Sequence, residues 1–168
     1  MRKSIQLLAC MFFVASLITT GCASTQKAKL ERNKALVHRY NDEIWIKGNL
    51  QILEEFCSAE IVQHFLPMGS DTKGLEELRK QIRIHRKAFP DWAEEIKRIV
   101  AEGDLVVTHF VSTGTNEGSF SGNPPTGKQI HINEMSFYRI VDGRIVEQWL
   151  IPDLLNLNQQ LGLIGKPK

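Results

Sequence analysis

The chain is poor in the features that would give it away at once. Cysteine is scarce, three in 168 residues, and Cys10 and Cys22 lie at the start, leaving Cys57 alone in the body. A single remaining cysteine forms no internal disulfide, so the fold must stand on its hydrophobic core. Charge of one sign is lacking too: 21 basic against 19 acidic residues give +2, and Arg2 and Lys3 account for that excess. A body with zero net charge carries no electrostatic footprint for nucleic acid, and that partner class is set aside. There is no internal repeat, no low-complexity tract and no apolar run of the ~20 residues a membrane helix needs. With 24% charged and 42% hydrophobic residues the composition is that of an ordinary globular protein.

The longest apolar run, Ile5 to Ile18, is 14 residues and follows a short basic start, Met1-Arg2-Lys3. That is the layout of a secretory signal. Thr19-Thr20-Gly21-Cys22 then resembles the bacterial lipobox, with Thr19 where Leu is usual. The resemblance implies removal of residues 1–21 and lipidation of Cys22. The alternative is an ordinary signal cleaved after Ala23. The expected location is the cell envelope, with the chain exported and held on a membrane by the lipid. Because Ala23 and not Asp follows Cys22, resemblance to Gram-negative lipoproteins implies the outer membrane in a host that has one. The mature chain is 147 residues, one domain after a polar tether over 22–29, with the domain running over 30–164.

Leu30, Val37, Tyr40 and Ile44 recur at helical spacing and predict a first helix from Lys27 to about Gly48. A short helix over Leu50 to Cys57, a short strand over Ile61 to Phe65 and a helix carrying Leu75, Leu78, Ile82 and Phe89 follow, the last ending before Pro90. Beyond Pro90 the period becomes two. Strands are expected over Trp92 to Ala101, Leu105 to Thr115, Lys128 to Val141 and Arg144 to Ile151, with turn pairs Glu102-Gly103 and Asp142-Gly143. A last helix carries Leu154, Leu155 and Leu161 and stops at Gly162. Helices first and strands after predict α+β, with helices packed on one face of an antiparallel sheet. Turning at Asp142-Gly143 is expected to pair Tyr138 with Glu147 and Ser136 with Trp149. Glu134, Tyr138, Glu147 and Trp149 would then share one face. Apolar side chains on both faces predict a second copy of the chain as cover for the other face, a homodimer.

Several stretches taken together carry a family likeness. They are Ile61 to His64, Ala88 to Asp91, Ala101 to Asp104, Gly114-Thr115 with Gly118 and Gly122, Pro124 to Lys128, Tyr138 to Trp149, Asp153, and Gln160 to Gly162. In this order and spacing the chain resembles the SnoaL-like polyketide cyclases, or ester cyclases, of the nuclear-transport-factor-2-like superfamily. The resemblance implies a cone-shaped α+β fold whose curved sheet and helices enclose one pocket, and a homo-oligomer. It implies cofactor-independent acid–base chemistry on a small carbonyl or ester compound: an aldol-type ring closure, or a related isomerase, dehydratase or hydrolase step. A lipid-anchored module that binds a small hydrophobic ligand without turning it over is the reading from the other class.

The resemblance makes Asp153 the general acid or base; His109 is expected to orient it or the substrate, and His64, which ends its strand beside a loop, to stand near the pocket mouth. Asn116 stands where the family usually has His. Asp153 after Pro152 also has the local pattern of a helix N-cap, which would lower the pKa that a general acid needs raised. On its strand His109 alternates with Val107 and Val111, which points it into an apolar layer. Trp149, Tyr138, Tyr40, Trp45, Glu134 and Glu147 are the expected ligand-binding residues, while His85 and His38 read as structural. No pair of His or carboxylates has metal-ligand spacing, so no metal is expected, and the resemblance to the cyclases implies that no cofactor is needed.

Overall fold

A computed structural model describes residues 24–165. The signal peptide and Cys22 lie outside the described residues. The first helix, α1 (24–40), already runs at residue 24, so the expected tether over 22–29 is helical through most of its length. Gln26, Lys27, Ala28 and Lys29 are helix formers that extend the amphipathic segment backwards. Asn33, Val37 and Tyr40 are its buried stripe. A π turn, Asn41–Ile46, continues it. The wider turn lets Asn41 and Ile44 face inward directly after Tyr40. Arg86 closes the end of that turn, donating to the carbonyls of Trp45 and Ile46 at 2.5 and 2.8 Å. Gly48, at φ +70°, lets the chain reverse.

The remaining elements are α2 (Leu53–Phe56), β1 (Cys57–Phe65), β2 (Ser70–Lys73), α3 (Leu75–Ala88), β3 (Ala93–Glu102), β4 (Leu105–Thr115), β5 (Gln129–Val141), β6 (Arg144–Pro152) and α4 (Leu154–Leu161). The expected helices and the four long strands are present to within a few residues. Two differences concern the sheet edge. The first strand starts at Cys57, four residues before the expected start, and β2 had no counterpart in the sequence reading. Ser70 to Lys73 is a polar strand with three exposed residues, and it offers no apolar alternation to detect.

The sheet is six-stranded, in the order β2-β1-β6-β5-β4-β3. It is mixed and not all antiparallel, because β1 runs parallel to β6. The helices pack against this curved, unclosed sheet. Two apolar clusters form the core. One joins α1, α2 and α3 to Val106, Tyr138, Ile140 and Ile145, and the other joins Phe89, Trp92, Ile130 and Ile132 to Leu157 and Leu161 of α4.

Registers decide which side chains can meet. The β3–β4 turn is Gly103-Asp104, one residue later than expected, since Glu102 pairs with Leu105. Val141 pairs with Arg144 as expected, around Asp142 and Gly143 at φ 49° and 73°. The ladder then slips: Ile140 faces Ile145, but Arg139 faces Glu147, leaving Val146 as an extra residue. Tyr138 therefore pairs with Gln148 and Ser136 with Leu150, not with Glu147 and Trp149. One bulge reverses the expected faces of all later β6 residues. Gln148, Leu150 and Pro152 join Glu134, Ser136 and Tyr138 on the concave side. Glu147, Trp149 and Ile151 turn outward with Met135, Phe137 and Arg139.

Candidate functional site

The concave sheet and the helices enclose a cavity of about 120 Å³. An engineered cavity of ~150 Å³ takes up benzene, which sets the scale: a ligand near the size of one ring. Its walls are Trp45 from the π turn, His85 from α3, Trp92 before β3, Phe110 from β4, Phe120 from the loop after β4, and Leu154 and Leu157 from α4. Ile132, Tyr138, Leu150 and Pro152 also line it. Two acids, Glu94 from β3 and Glu134 from β5, stand among these apolar groups.

Glu94 is held from two sides. The Trp92 indole N–H donates to its Oε1 at 2.8 Å, and the Asn41 amide donates to Oε2. Burial, with the charge of Glu134 added, nevertheless pushes its pKa up to about 8. Glu134 is 6% exposed, and its Oε1 has no hydrogen-bond partner among the described residues. Burial pushes that carboxyl up to about 7. Both carboxyl groups are thus pushed up to the neutral range, where each can take or give a proton.

His85 lies on the α3 stripe with Leu78 and Ile82, inside a ring of aromatics. Its centroid is 4.2 Å from that of Trp92, 5.4 Å from Phe89 and 5.7 Å from Trp45. Burial, helped by the neighbouring Arg86 charge, lowers its pKa to about 4, so the ring is neutral. Its Nε2 is buried and has no hydrogen-bond partner among the described residues. Gln148 is fully used: it accepts from Gln63 at 3.0 Å and donates to Ser136 Oγ at 3.3 Å. Such a set can move a proton to or from a bound carbonyl compound, with an acid–base pair in a dry, aromatic enclosure.

The family model for SnoaL-like polyketide cyclase matches residues 35–161. The chain belongs to the SnoaL-like polyketide cyclase family. Among solved structures, a SnoaL-like polyketide cyclase candidate from Jannaschia sp. CCS1 superposes with a TM-score of 0.75 at 23% identity, over 81% of this chain and 95% of that one. AclR, a candidate hydroxylase from Streptomyces galilaeus, is 28% identical with a TM-score of 0.72, over 83% and 86%. IdmH, a candidate polyketide cyclase from Streptomyces antibioticus, is 30% identical with a TM-score of 0.68, over 77% and 98%. No curated protein matches the chain.

In this SnoaL-like domain the residues picked from the sequence divide between two surfaces. Trp45, Tyr138 and Glu134 line the cavity. Tyr40 is fully buried one layer behind, its ring 6.1 Å from both Phe56 and Tyr138. Asp153 is exposed and caps α4, accepting from the Asn156 backbone N–H at 3.0 Å. His109 is on the outer face, bonded through Nε2 to Asn133 Oδ1 at 2.8 Å. His64, Glu147 and Trp149 meet on that outer face as well. His64 bridges Asp71 at 2.8 Å and Glu147 at 3.0 Å and stacks on Trp149 at 5.4 Å. Its pKa is raised, by Glu147 first and then Asp71. Arg139 completes the group, 3.2 Å from Glu147 and over the Trp149 ring.

Glu94 and His85 are the titratable cavity residues that sequence reasoning missed. Glu94 sits in a run, Ala93 to Lys97, that reads as a polar strand edge, and only its register opposite Ser112 turns it inward. The family's usual His position, Asn116, is buried and structural. Its Oδ1 accepts from Thr126 N at 2.9 Å and from Thr126 Oγ1 at 3.0 Å, and its amide donates to the Gly118 carbonyl at 2.8 Å.

Proposed function

We propose that the protein is a cofactor-independent acid–base catalyst of the cyclase type, acting on a small carbonyl or ester compound. The observation that carries this reading is Glu134: a carboxyl group 6% exposed in an aromatic cavity, with one oxygen that has no partner among the described residues. In its carboxylate form Glu134 takes a proton from the carbon next to the substrate carbonyl. In its acid form it returns one to the developing alkoxide or enolate. Glu94, fixed by Trp92 and Asn41, is a second raised carboxyl in the same cavity, pushed up by burial and then by the Glu134 charge. General acid–base catalysis of this kind contributes about 10²–10⁴-fold.

The test needs no knowledge of the natural substrate. Small ketones and β-keto esters are incubated with the protein in D₂O, and exchange at the α-carbon is followed by NMR. Catalysed exchange that Glu134→Gln lowers by about 10²-fold or more supports the reading. Ligand binding without exchange across the panel makes the protein a binding module instead.

A second copy is proposed to cover the outer sheet face, where Met135 and Ile151 are 42% and 37% exposed beside Phe137 and Trp149. Sedimentation that finds only monomer at tens of micromolar, the range of the weaker specific associations, removes that proposal. The lipid anchor at Cys22 in the cell envelope is likewise proposed from the sequence. Cys22→Ser releasing the protein from the membrane fraction is its test.

A further inference from the structure

The cavity also selects the charge of its occupant. Its titratable lining comes from three elements: Glu94 from β3, Glu134 and Tyr138 from β5, and His85 from α3. β1, β6 and α4 contribute only uncharged side chains, and among the described residues no Lys or Arg lines it. Tyr138 holds its proton far above neutrality, as does Tyr40 packed against it, and His85 stays neutral. Every charge the enclosure can carry near neutral pH is therefore negative. A carboxylate or phosphate placed there would meet two carboxyl groups and no counter-ion, buried where such repulsion is least screened.

The aromatic walls act in the same sense. Trp45, Trp92, Phe110, Phe120 and Tyr138 surround the two acids, and ring faces carry the negative part of their quadrupoles. Aromatic rings around a small enclosure are the usual device for holding an organic ammonium group. The Trp92 N–H is already spent on Glu94, whereas the buried Glu134 Oε1 waits for a donor. We propose that this cavity binds a compact organic ammonium compound, its cationic end on Glu134 and an apolar body of about one ring among the aromatic side chains. This deepens the acid–base reading and rests on the same cavity. An ammonium group beside a carbonyl favours the carboxylate form of Glu134, the form that acts as base.

Because Glu134 and Glu94 hold protons up to about pH 7 and 8 when the cavity is empty, the cation displaces a proton on binding, and affinity climbs as pH rises through that range. Calorimetry of the full chain uses three probes of one size and three charges: benzylamine, benzyl alcohol and benzoate. Benzylammonium is expected to bind, about tenfold more tightly at pH 8 than at pH 6, with proton release seen as a buffer-dependent heat. Benzoate is expected not to bind, and Glu134→Gln to weaken benzylammonium at least tenfold. Glu94→Gln serves as the second variant, losing part of the pH dependence if Glu134→Gln does not fold. Equal affinity for benzyl alcohol and benzylammonium, a flat pH profile, or no benzylammonium binding at millimolar concentration overturns the proposal. The two readings fail separately. Carbon exchange without ammonium binding removes only this one, and ammonium binding without exchange removes only the catalytic one.

Discussion

The indole N–H of Trp92 donates to Glu94 Oε1 across a 2.8 Å gap, two residues along the same stretch of chain. Trp92 is 5% exposed, and its ring packs edge to face on His85 at 4.2 Å. The one polar atom of a core aromatic thus steadies a carboxylate that burial otherwise disfavours.

Replacing the indole while keeping an aromatic ring isolates that bond. In Trp92→Phe the Glu94 carboxylate loses a donor, so its pKa should climb beyond about 8. Carboxyl carbon shifts followed by NMR over a pH titration measure the midpoint. An unmoved midpoint would mean the indole N–H does not stabilise the charge.

The two cavity groups give the fold opposite pH dependences. Glu134 keeps its proton to about pH 7 in the folded chain, against 4.5 when unfolded. The native state binds more protons between those values, so this contribution to stability is lost as pH rises from 4.5 to 7. His85, at about 4 against 6.5, contributes stability that is lost as pH falls through 6.5 towards 4. Glu134→Gln should therefore raise the melting temperature at pH 8 and leave it unchanged or lower at pH 4. The ceiling is about 3 kcal/mol, each kcal/mol being about 2–4 °C for a chain this size. Thermal unfolding at both pH values decides it, and equal shifts at both would refute the assignment.

Asp153 can be interrogated by two substitutions with different chemistry. Asn caps a helix as well as Asp but transfers no proton, whereas Ala does neither. Asp153→Asn should leave stability and carbon exchange within a few-fold of the parent. Asp153→Ala should lose about 1 kcal/mol by denaturant unfolding and still catalyse exchange. A collapse of exchange in Asp153→Asn would restore Asp153 as the acid–base group.

Gly118 lets the loop after β4 lie against the end of α3. A Cβ there would meet the Lys87 carbonyl oxygen at 2.2 Å and Ala88 Cα at 3.0 Å, both backbone. Gly118→Ala should cost about 1–3 kcal/mol and displace Phe120 from the cavity wall, weakening any cavity ligand. Gly122→Ala, with open space around it but φ +79°, should cost about 1 kcal/mol and leave ligand binding intact. Chemical unfolding and ligand titration of the pair separate the effects.

Most of the architecture was legible because local signals agreed with one another. Alternation in Leu105 to Thr115, the left-handed Asp142-Gly143 turn and the 78–82–85–89 stripe each place an element without help from the rest. The candidate site was less legible, for one physical reason. A single bulged residue at Val146 is invisible to a period-two reading, yet it exchanges the two faces of β6. Trp149 and Glu147 thereby leave the cavity side, and Gln148 and Leu150 take their places. Glu134, Tyr138 and Trp45 were recoverable because they lie before the bulge or on a helix stripe. Glu94 needed the β3–β4 register, and His85 needed knowledge that its stripe borders an enclosure and not solid core.

The parallel pairing of β1 with β6 bears on how the molecule comes into being. Gln63 donates to Gln148 across 85 residues of chain, and His64 lies beside Trp149 in the same ladder. During synthesis β1 leaves the ribosome long before its neighbour exists, while the β3–β4 hairpin can close as soon as Leu105 follows Glu102. The edge pair β1–β2 can pack on α3 early, but it must wait for its second strand neighbour until β6 docks. Both acids sit on strands made before β6 and α4, whose walls arrive last. The enclosure around the acids is therefore among the final things the chain assembles, a sequence that slow, long-range strand pairing imposes.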